Sequence, residues 1–163
     1  MRIIVLSDTH MPKKAKCLPE TLTKHFINAD YIFHLGDWQT VDLYHQLTRY
    51  CTVVGVAGNV DNDELIEILG HQKTVEIGGY TFGLVHGHQG KGRTTETRAF
   101  NTFSRNELDV LLFGHSHIPV SKKVNNTIVF NPGSPTDKRK QSHFSFGVIE
   151  INKTLTLHHI FFR

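Results

Sequence analysis

The chain has 163 residues, of which 39% are hydrophobic, and its 18 lysine and arginine side chains outnumber its 15 acidic ones, giving a formal charge of +3. This length and composition exclude disordered and fibrous proteins and predict a single globular domain over residues 1–163. The weak positive charge, with no basic run longer than Lys138–Lys140, does not predict a duplex nucleic-acid partner.

The N-terminal sequence and the number of cysteines indicate the cellular compartment of the protein. Arg2 precedes a short apolar run that lacks the hydrophobic core and cleavage site of a secretory signal, and no apolar run approaches the ~20 residues that cross a bilayer. Cys17 and Cys51 are too few for a disulfide framework, so both are predicted to be reduced thiols. We therefore expect a cytoplasmic protein with no membrane partner.

The first part of the chain alternates between apolar β-branched runs and segments with the period of a helix. The predicted elements, in chain order, are the strand Arg2–Ser7, the helix Pro19–Ile27, the strand Tyr31–Leu35, the helix Val41–Tyr50 and the strand Thr52–Ala57. Asp61–Asp63 then offers N-caps for a short helix that runs to about Leu69 and closes at Gly70. This order of strands and helices predicts a parallel sheet.

The later part of the chain is predicted to be mainly β structure. Lys73–Ile77 and Tyr80–Val85 form a hairpin around Gly78-Gly79, and a helix over Thr95–Ser104 precedes a buried strand at Val110–Phe113. Four more strands are predicted at Val120–Val124, Thr127–Phe130, Phe144–Ile151 and Leu155–Phe161. A parallel half followed by an antiparallel half packs most economically as two facing mixed β-sheets flanked by helices, an α/β sandwich.

Five short polar motifs directly follow predicted strands. They are Asp8-Thr9-His10, Gly36-Asp37, Gly58-Asn59, His86-Gly87-His88 and Gly114-His115-Ser116-His117. The carboxyl ends of strands line one edge of an open α/β sheet, so residues distant in sequence are expected to meet there. Each motif alone has a plainer interpretation as a turn or a cap. Five together are improbable as turns, because unpartnered polar groups are costly at the edge of an apolar sheet.

The ordered series of these motifs resembles that of the calcineurin-like metallophosphoesterases. The turn Asn131-Pro132-Gly133-Ser134, also familiar from small members of that family, extends the resemblance over most of the chain. The length and compactness look most like those of the small phosphodiesterases of the YfcE type. The resemblance implies a four-layer α/β/β/α sandwich and hydrolysis of a phosphate ester.

The resemblance also implies two metal ions. One would be bound by Asp8, His10 and His117 and the other by Asn59, His86 and His115, with Asp37 bridging the two. Imidazole, carboxylate and amide ligands without thiolates suit divalent first-row metals, with Mn²⁺ favoured and Ni²⁺, Zn²⁺, Fe²⁺ and Mg²⁺ as alternatives. Such a pair, about 3.5–4 Å apart, can hold a bridging hydroxide that attacks phosphorus, which would give Asp37 and Asn59 a part in catalysis.

Val60 departs from the family's pattern. Many relatives have a histidine directly after the asparagine of this motif, where it contacts phosphate or protonates the leaving group, and valine can do neither. A diester with a stabilised leaving group would suffer least, so we expect a phosphodiesterase acting on a small phosphodiester or nucleotide-like substrate. A phosphomonoesterase or nucleotide pyrophosphatase is the alternative, and a non-catalytic scaffold like the retromer subunit of this fold is a third.

Further side chains near the motifs have two interpretations each. His88 either contacts substrate, as a phosphate ligand or proton donor, or is solvated, and Lys91 and Arg93 either bind substrate phosphate or lie in solvent. Asp61 either orients a metal ligand or, more simply, caps a helix. Trp38 is expected to be exposed and either to stack on substrate or to pack at the rim.

Three more residues are expected to have supporting or purely structural roles. His34 is predicted to be a strand histidine with a hydrogen-bond partner rather than a metal ligand. Asn131 and Ser134 either support the site or only form a turn. His71 lies outside the motifs and is given no role, and a homodimer is compatible with the sequence.

Overall fold

The computed structural model describes residues 1–103 and 107–163. The elements of the first part of the chain are β1 (Arg2–Leu6), α1 (Glu20–Phe26), β2 (Tyr31–His34), α2 (Val41–Thr48), β3 (Thr52–Gly55), α3 (Asp63–Leu69), β4 (Gln72–Ile77) and β5 (Tyr80–Val85). They are followed by α4 (Thr95–Thr102), β6 (Val110–Phe113), β7 (Val120–Val124), β8 (Thr127–Asn131), β9 (Phe144–Ile151) and β10 (Leu155–Phe162). Each predicted element is present with ends shifted by at most two residues, except that the predicted helix end at Ser104 lies outside the described residues.

The strands form two mixed sheets of five strands each. The first sheet has the order β10-β9-β1-β2-β3, with β1, β2 and β3 parallel and β9 antiparallel to β1. The second sheet has the order β4-β5-β6-β8-β7, with β5, β6 and β8 parallel and the outer strands antiparallel. The prediction of an antiparallel second half is therefore wrong for the centre of the second sheet. The helix α4 and the strand β7 carry the chain back between its central strands, which makes those strands parallel.

Three apolar layers hold the sheets and helices together. On β1, Ile4 and Leu6 face the helices α1, α2 and α3, whereas Ile3 and Val5 face the second sheet, because successive side chains of a strand point to opposite faces. The outer face of the second sheet packs against Ala99 of α4. The result is the predicted four-layer α/β/β/α sandwich.

The two ends of α3 show how local sequence sets an element. The Asn62 side chain caps the helix by accepting a hydrogen bond from the Leu65 amide at 3.1 Å. Gly70 ends it with φ of +70°, as expected for a glycine at this position. Among the described residues, no helix has both the length and the hydropathy needed to cross a membrane, and Cys17 and Cys51 are free thiols.

Candidate metal centre

The first predicted ligand group, Asp8, His10 and His117, comes together at the carboxyl ends of β1 and β6. The Asp8 Oδ1 atom lies 3.3 Å from His117 Nε2 and 4.0 Å from His10 Nε2. The two imidazole Nε2 atoms are 3.3 Å apart, and their rings are stacked. Three donor atoms of types that bind divalent metals thus converge on one point.

The second group forms beside the first from Asp37, His86 and His115. His86 Nε2 lies 3.2 Å from Asp37 Oδ1 and 3.3 Å from His115 Nδ1. The Asn59 carbonyl oxygen, Oδ1, is 3.2 Å from the same His86 nitrogen. The structure therefore brings the predicted amide ligand to this group as well.

Asp37 lies between the two groups. Its Oδ1 atom faces His86 at 3.2 Å, and its Oδ2 atom faces His10 of the first group at 3.6 Å. A carboxylate that presents one oxygen to each group has the geometry of a bridging ligand.

Five of these side chains stand on strained backbone. Left-handed φ values occur at Asp8 (+56°), His10 (+47°), Asp37 (+61°), His115 (+65°) and His117 (+59°). Non-glycine residues adopt this conformation infrequently and at a cost of about 1–2 kcal/mol each, and such strain concentrates at functional sites. The left-handed conformation turns the chain sharply after the strand.

Backbone carbonyls orient two of the imidazoles. The Nδ1–H of His86 donates to the Leu35 carbonyl at 2.7 Å, and that of His117 donates to the Asp137 carbonyl at 2.5 Å. In the neutral rings these bonds place the proton on Nδ1 and leave Nε2 free to face its group, which is the usual arrangement of metal-binding histidines.

The two oxygens of the buried Asp8 carboxylate have different surroundings. Oδ2 accepts hydrogen bonds from the Ser7 hydroxyl at 2.7 Å and from the His115 amide at 2.9 Å. Oδ1 is fully buried and has no hydrogen-bond partner within the described part of the chain. A buried carboxylate oxygen without a donor is costly, and a cation among the three imidazole Nε2 atoms around it would satisfy it. The donor set therefore fits divalent metal ions.

Asp61 supports the second group rather than capping α3. Its Oδ2 accepts from the amides of Asp37 at 3.0 Å and Gly58 at 2.7 Å, and its Oδ1 accepts from the amide of Gln39 at 2.8 Å. The simpler cap interpretation of Asp61 is wrong, since Asn62 fills that role. This buried carboxylate ties together the loops that present Asp37 and Asn59.

The segment after β8 supports the first group. The Ser134 hydroxyl donates to the Asp8 carbonyl at 2.8 Å, and the Asn131 amide donates to the Gly114 carbonyl at 2.9 Å. Thr136, to which sequence analysis gave no role, donates to the Thr9 carbonyl at 2.7 Å. Both interpretations of Asn131 and Ser134 hold, because each side chain also accepts a turn hydrogen bond, from the Gly133 amide at 2.9 Å and from the Asp137 amide at 2.8 Å.

The β6 end approaches β1 so closely that only glycine fits at position 114. A Cβ atom there would collide with the Ser7 hydroxyl and lie 3.1 Å from Asp8 Oδ2. The glycine thus lets the amide of His115 reach the Asp8 carboxylate.

Burial and neighbouring charges shift the pKa values of these groups in opposite directions. Burial alone raises the pKa of the Asp37 carboxyl, but the nearby His86 ring outweighs it and holds the pKa well below the usual range. Burial likewise lowers the pKa of His117, but the Asp8 carboxylate more than compensates and raises it. Burial prevails for His10 and lowers its pKa. Both carboxylates are therefore ionised, as ligands of cations must be.

The half-buried His88 lies beside the second group. Its ring centroid is 5.3 Å from that of His86 and 6.3 Å from that of His115. Burial and the neighbouring rings of His86, His71 and His115 lower the pKa of His88 to about 4. A third ring, His71, which sequence analysis left without a role, lies 5.7 Å from His88.

Three other expectations are resolved in different ways. Trp38 is fully buried, stacks on His34 and donates to the Val56 carbonyl at 2.9 Å, so its predicted exposure and substrate stacking are wrong. His34 has its predicted partner, the Thr9 hydroxyl at 2.9 Å. Lys91 and Arg93 are exposed, and no side-chain contact joins them to either group among the described residues.

Comparison with known proteins identifies the family. The model of the calcineurin-like phosphoesterase superfamily domain matches residues 1–154. The chain belongs to this superfamily. A relative from Methanothermobacter thermautotrophicus, named a probable metallophosphoesterase, is 35% identical over 142 residues, which cover 85% of this chain and 80% of the relative.

Solved structures share the calcineurin-like fold along the whole chain. The solution structure of a Thermotoga maritima protein is 26% identical, with a TM-score of 0.76 and 99% of each chain covered. Vps29 from Entamoeba histolytica, solved in complex with Zn²⁺, is 22% identical, with a TM-score of 0.75 and 100% of each chain covered. The second likeness shows the fold alone.

Proposed function

We propose that this metallophosphoesterase is a phosphodiesterase that depends on two divalent metal ions. The observation that carries the proposal is Asp37, whose two carboxylate oxygens face two separate groups of imidazole and carboxylate donors. We infer that Asp8, His10 and His117 hold one ion, that Asn59, His86 and His115 hold the other, and that Asp37 bridges them. Mn²⁺ is the metal we favour.

Two ions held there would supply an activated water nucleophile and positive charge for the phosphoryl oxygens. The chain's own part is to fix the donors. The Leu35 and Asp137 carbonyls orient His86 and His117, and Asp61 holds the loop of Asp37. Donors fixed before substrate arrives need no reorganisation during the reaction.

The surroundings of Val60 favour a diester over a monoester. The residue is 41% exposed and its side chain is apolar, so it offers no proton to a leaving group, whereas its amide donates to Asp37 Oδ1 at 3.2 Å. His88 is mostly neutral at neutral pH because its pKa is about 4, so it is not a ready proton donor either. We assign His88 to hydrogen bonding with substrate, and the exposed Lys91 and Arg93 to attraction of its negative charge.

The test is hydrolysis by metal-stripped protein resupplied with Mn²⁺, Ni²⁺, Zn²⁺ or Mg²⁺. We expect hydrolysis of bis(p-nitrophenyl) phosphate to exceed that of p-nitrophenyl phosphate with at least one metal. Asp37→Asn should lower both metal affinity and activity at least about hundredfold, because it removes a ligand from both groups. Asp42→Asn, an exposed acid in the first turn of α2, is the matched control and should leave both unchanged.

Other outcomes point to the alternatives. Faster hydrolysis of the monoester would favour a phosphomonoesterase, and release of nucleoside monophosphate from a nucleoside triphosphate would favour a pyrophosphatase. Metal binding without hydrolysis of any ester would favour a non-catalytic scaffold. Full activity of Asp37→Asn would contradict the bridging role while leaving the enzyme class open.

A further inference from the structure

A groove of about 270 Å³ lies where the loop after β1 meets the segment before β9. Its lining includes the aromatic rings of Phe144 and Phe162 and the cationic side chains of Lys14 and Arg163. None of these residues belongs to the metal centre.

The aromatic residues of the groove lie at the same edge of the first sheet as the candidate metal centre. Because β9 runs antiparallel to β1, the start of β9 at Phe144 lies near the end of β1, where Asp8 stands. Phe162 of β10 pairs with Phe144. At the usual strand spacing the two rings stand on backbone about 5 Å and 10 Å from the line of β1.

Hydrogen bonds connect the groove directly to the first ligand group. Thr136, which lines the groove, donates to the Thr9 carbonyl at 2.7 Å, and the Lys14 amide donates to the His10 carbonyl at 2.8 Å. The Lys14 ammonium also pairs with the Asp137 carboxylate at 3.4 Å. The groove and the first ligand group are therefore built on the same hydrogen-bonded loops.

The chemistry of the lining combines an aromatic surface with positive charge. The rings of Phe144 and Phe162 are stacked, with centroids 5.6 Å apart, and the Lys138 ammonium lies 5.9 Å from the Phe144 centroid. Three cations, Lys14, Lys138 and Arg163, are near these rings, and Lys14 pairs with the Asp137 carboxylate. Aromatic side chains bind nucleobases by stacking, and lysine and arginine bind phosphate.

We propose that this groove binds the nucleotide next to the scissile phosphate of a phosphodiester substrate. The base contacts Phe144 and Phe162, and the phosphate of that nucleotide meets the cations around them. A volume below the roughly 300–1,000 Å³ of drug-sized pockets suits one nucleotide rather than a longer chain. The substrate class is thus a dinucleotide or short oligonucleotide, a deepening that rests on the proposed phosphodiesterase function.

Binding to metal-free protein tests the groove without any hydrolysis. Titration calorimetry with thymidine 5′-monophosphate should give binding at least tenfold tighter than with thymidine or with inorganic phosphate. Phe144→Leu and Lys14→Met should each weaken nucleotide binding at least fivefold. Lys123→Met, an exposed lysine on β7 of the other sheet, is the matched control and should bind as the unchanged protein does. Lys14 is exposed, so its variant keeps the test decisive should Phe144→Leu fail to fold.

Kinetics with the metal-loaded protein separate this inference from the proposed function. Both groove variants should raise KM for a 5′-phosphorylated thymidine dinucleotide relative to KM for bis(p-nitrophenyl) phosphate, which lacks a nucleotide. The groove proposal would be overturned if both variants bound the nucleotide as tightly as the unchanged protein does. It would also be overturned if inorganic phosphate bound as tightly as the nucleotide. If the protein binds nucleotide in the groove but hydrolyses no diester, the phosphodiesterase proposal is contradicted and the nucleotide site is supported.

Discussion

At the scale of single residues, Asp61 shows how much of the candidate metal centre depends on a side chain outside both ligand groups. Its carboxylate accepts three backbone hydrogen bonds, from Asp37, Gln39 and Gly58. Asp61→Asn would turn an NH₂ group toward at least one of those amides. We expect the free energy of unfolding to fall by about 1–3 kcal/mol and affinity for Mn²⁺ to fall about 10–100-fold. Thermal unfolding and metal titration calorimetry measure the two effects.

The control for this prediction is Asp63→Asn. Asp63 is an exposed acid in the first turn of α3, so its loss removes a favourable interaction with the helix dipole, worth about 0.3–1 kcal/mol, without touching the metal loops. Asp63→Asn should therefore bind Mn²⁺ as tightly as the unchanged protein does. Equal metal affinity in both variants would show that Asp61 does not position the ligands.

The sequence points to the candidate metal ligands but does not decide which neighbouring side chains orient them. Asp8, Asp37 and Asn59 are visible because each follows a strand within a recognisable motif. For Asp61 the sequence left two roles open and favoured the wrong one, because a carboxylate in a loop has the same local pattern whether it caps a helix or accepts hydrogen bonds from a distant loop. The expected exposure of Trp38 was wrong because its burial depends on tertiary packing: it stacks on His34, and no local sequence pattern shows that contact.

At the scale of elements, the contact between the ends of β1 and β6 depends on Gly114. A Cβ atom at this position would meet the Ser7 hydroxyl and Asp8 Oδ2. We expect Gly114→Ala to push the β6 end away, to lower the free energy of unfolding by about 1–3 kcal/mol and to weaken Mn²⁺ binding at least about tenfold. Thermal unfolding with and without Mn²⁺, together with calorimetry, gives both quantities.

Gly79→Ala provides the comparison for Gly114→Ala. Gly79 has φ of +80° in the β4–β5 turn, and a Cβ atom there would have no neighbour within 4 Å. Its replacement by alanine should cost about 1–2 kcal/mol through backbone conformation alone and leave metal binding intact. Loss of metal affinity in this variant too would mean that general destabilisation, not close approach, explains the result.

The strands and helices could be located from the sequence, but the order of strands in the sheets could not. Apolar runs and turn residues act locally, so they mark β9 and β10 as strands. They carry no information on which sheet those strands join. The antiparallel pairing of β9 with β1, such as Ile3 with Ile149, depends on the complementarity of two apolar faces nearly 150 residues apart in the chain.

At the scale of the whole molecule, the two sheets supply different parts of the candidate metal centre, so ions bound there would stabilise the packing of one sheet on the other. Asp8 and Asp37 stand at the end of the first sheet, whereas His86 and His117 follow strands of the second. Ions that bind only the folded chain add RT ln(1 + [L]/Kd) to its stability. Because Asp37 faces both groups, binding of one ion should also order the second group.

His34, buried beneath the metal loops, makes folding stability depend on pH. Burial lowers the pKa of His34 to about 3, whereas in the unfolded chain its pKa is about 6.5. As pH falls from about 6 to 4, only the unfolded chain gains this proton, so stability is lost by about 1.4 kcal/mol per pH unit. His34→Gln should remove this pH dependence. The measurement is the slope of the unfolding free energy against pH, from urea unfolding of the metal-free proteins, and the contributions of the other histidines cancel in the difference between the variant and the unchanged protein. His45→Gln, at an exposed position on α2, should keep the original slope, and a parallel pH dependence for His34→Gln would refute the assignment.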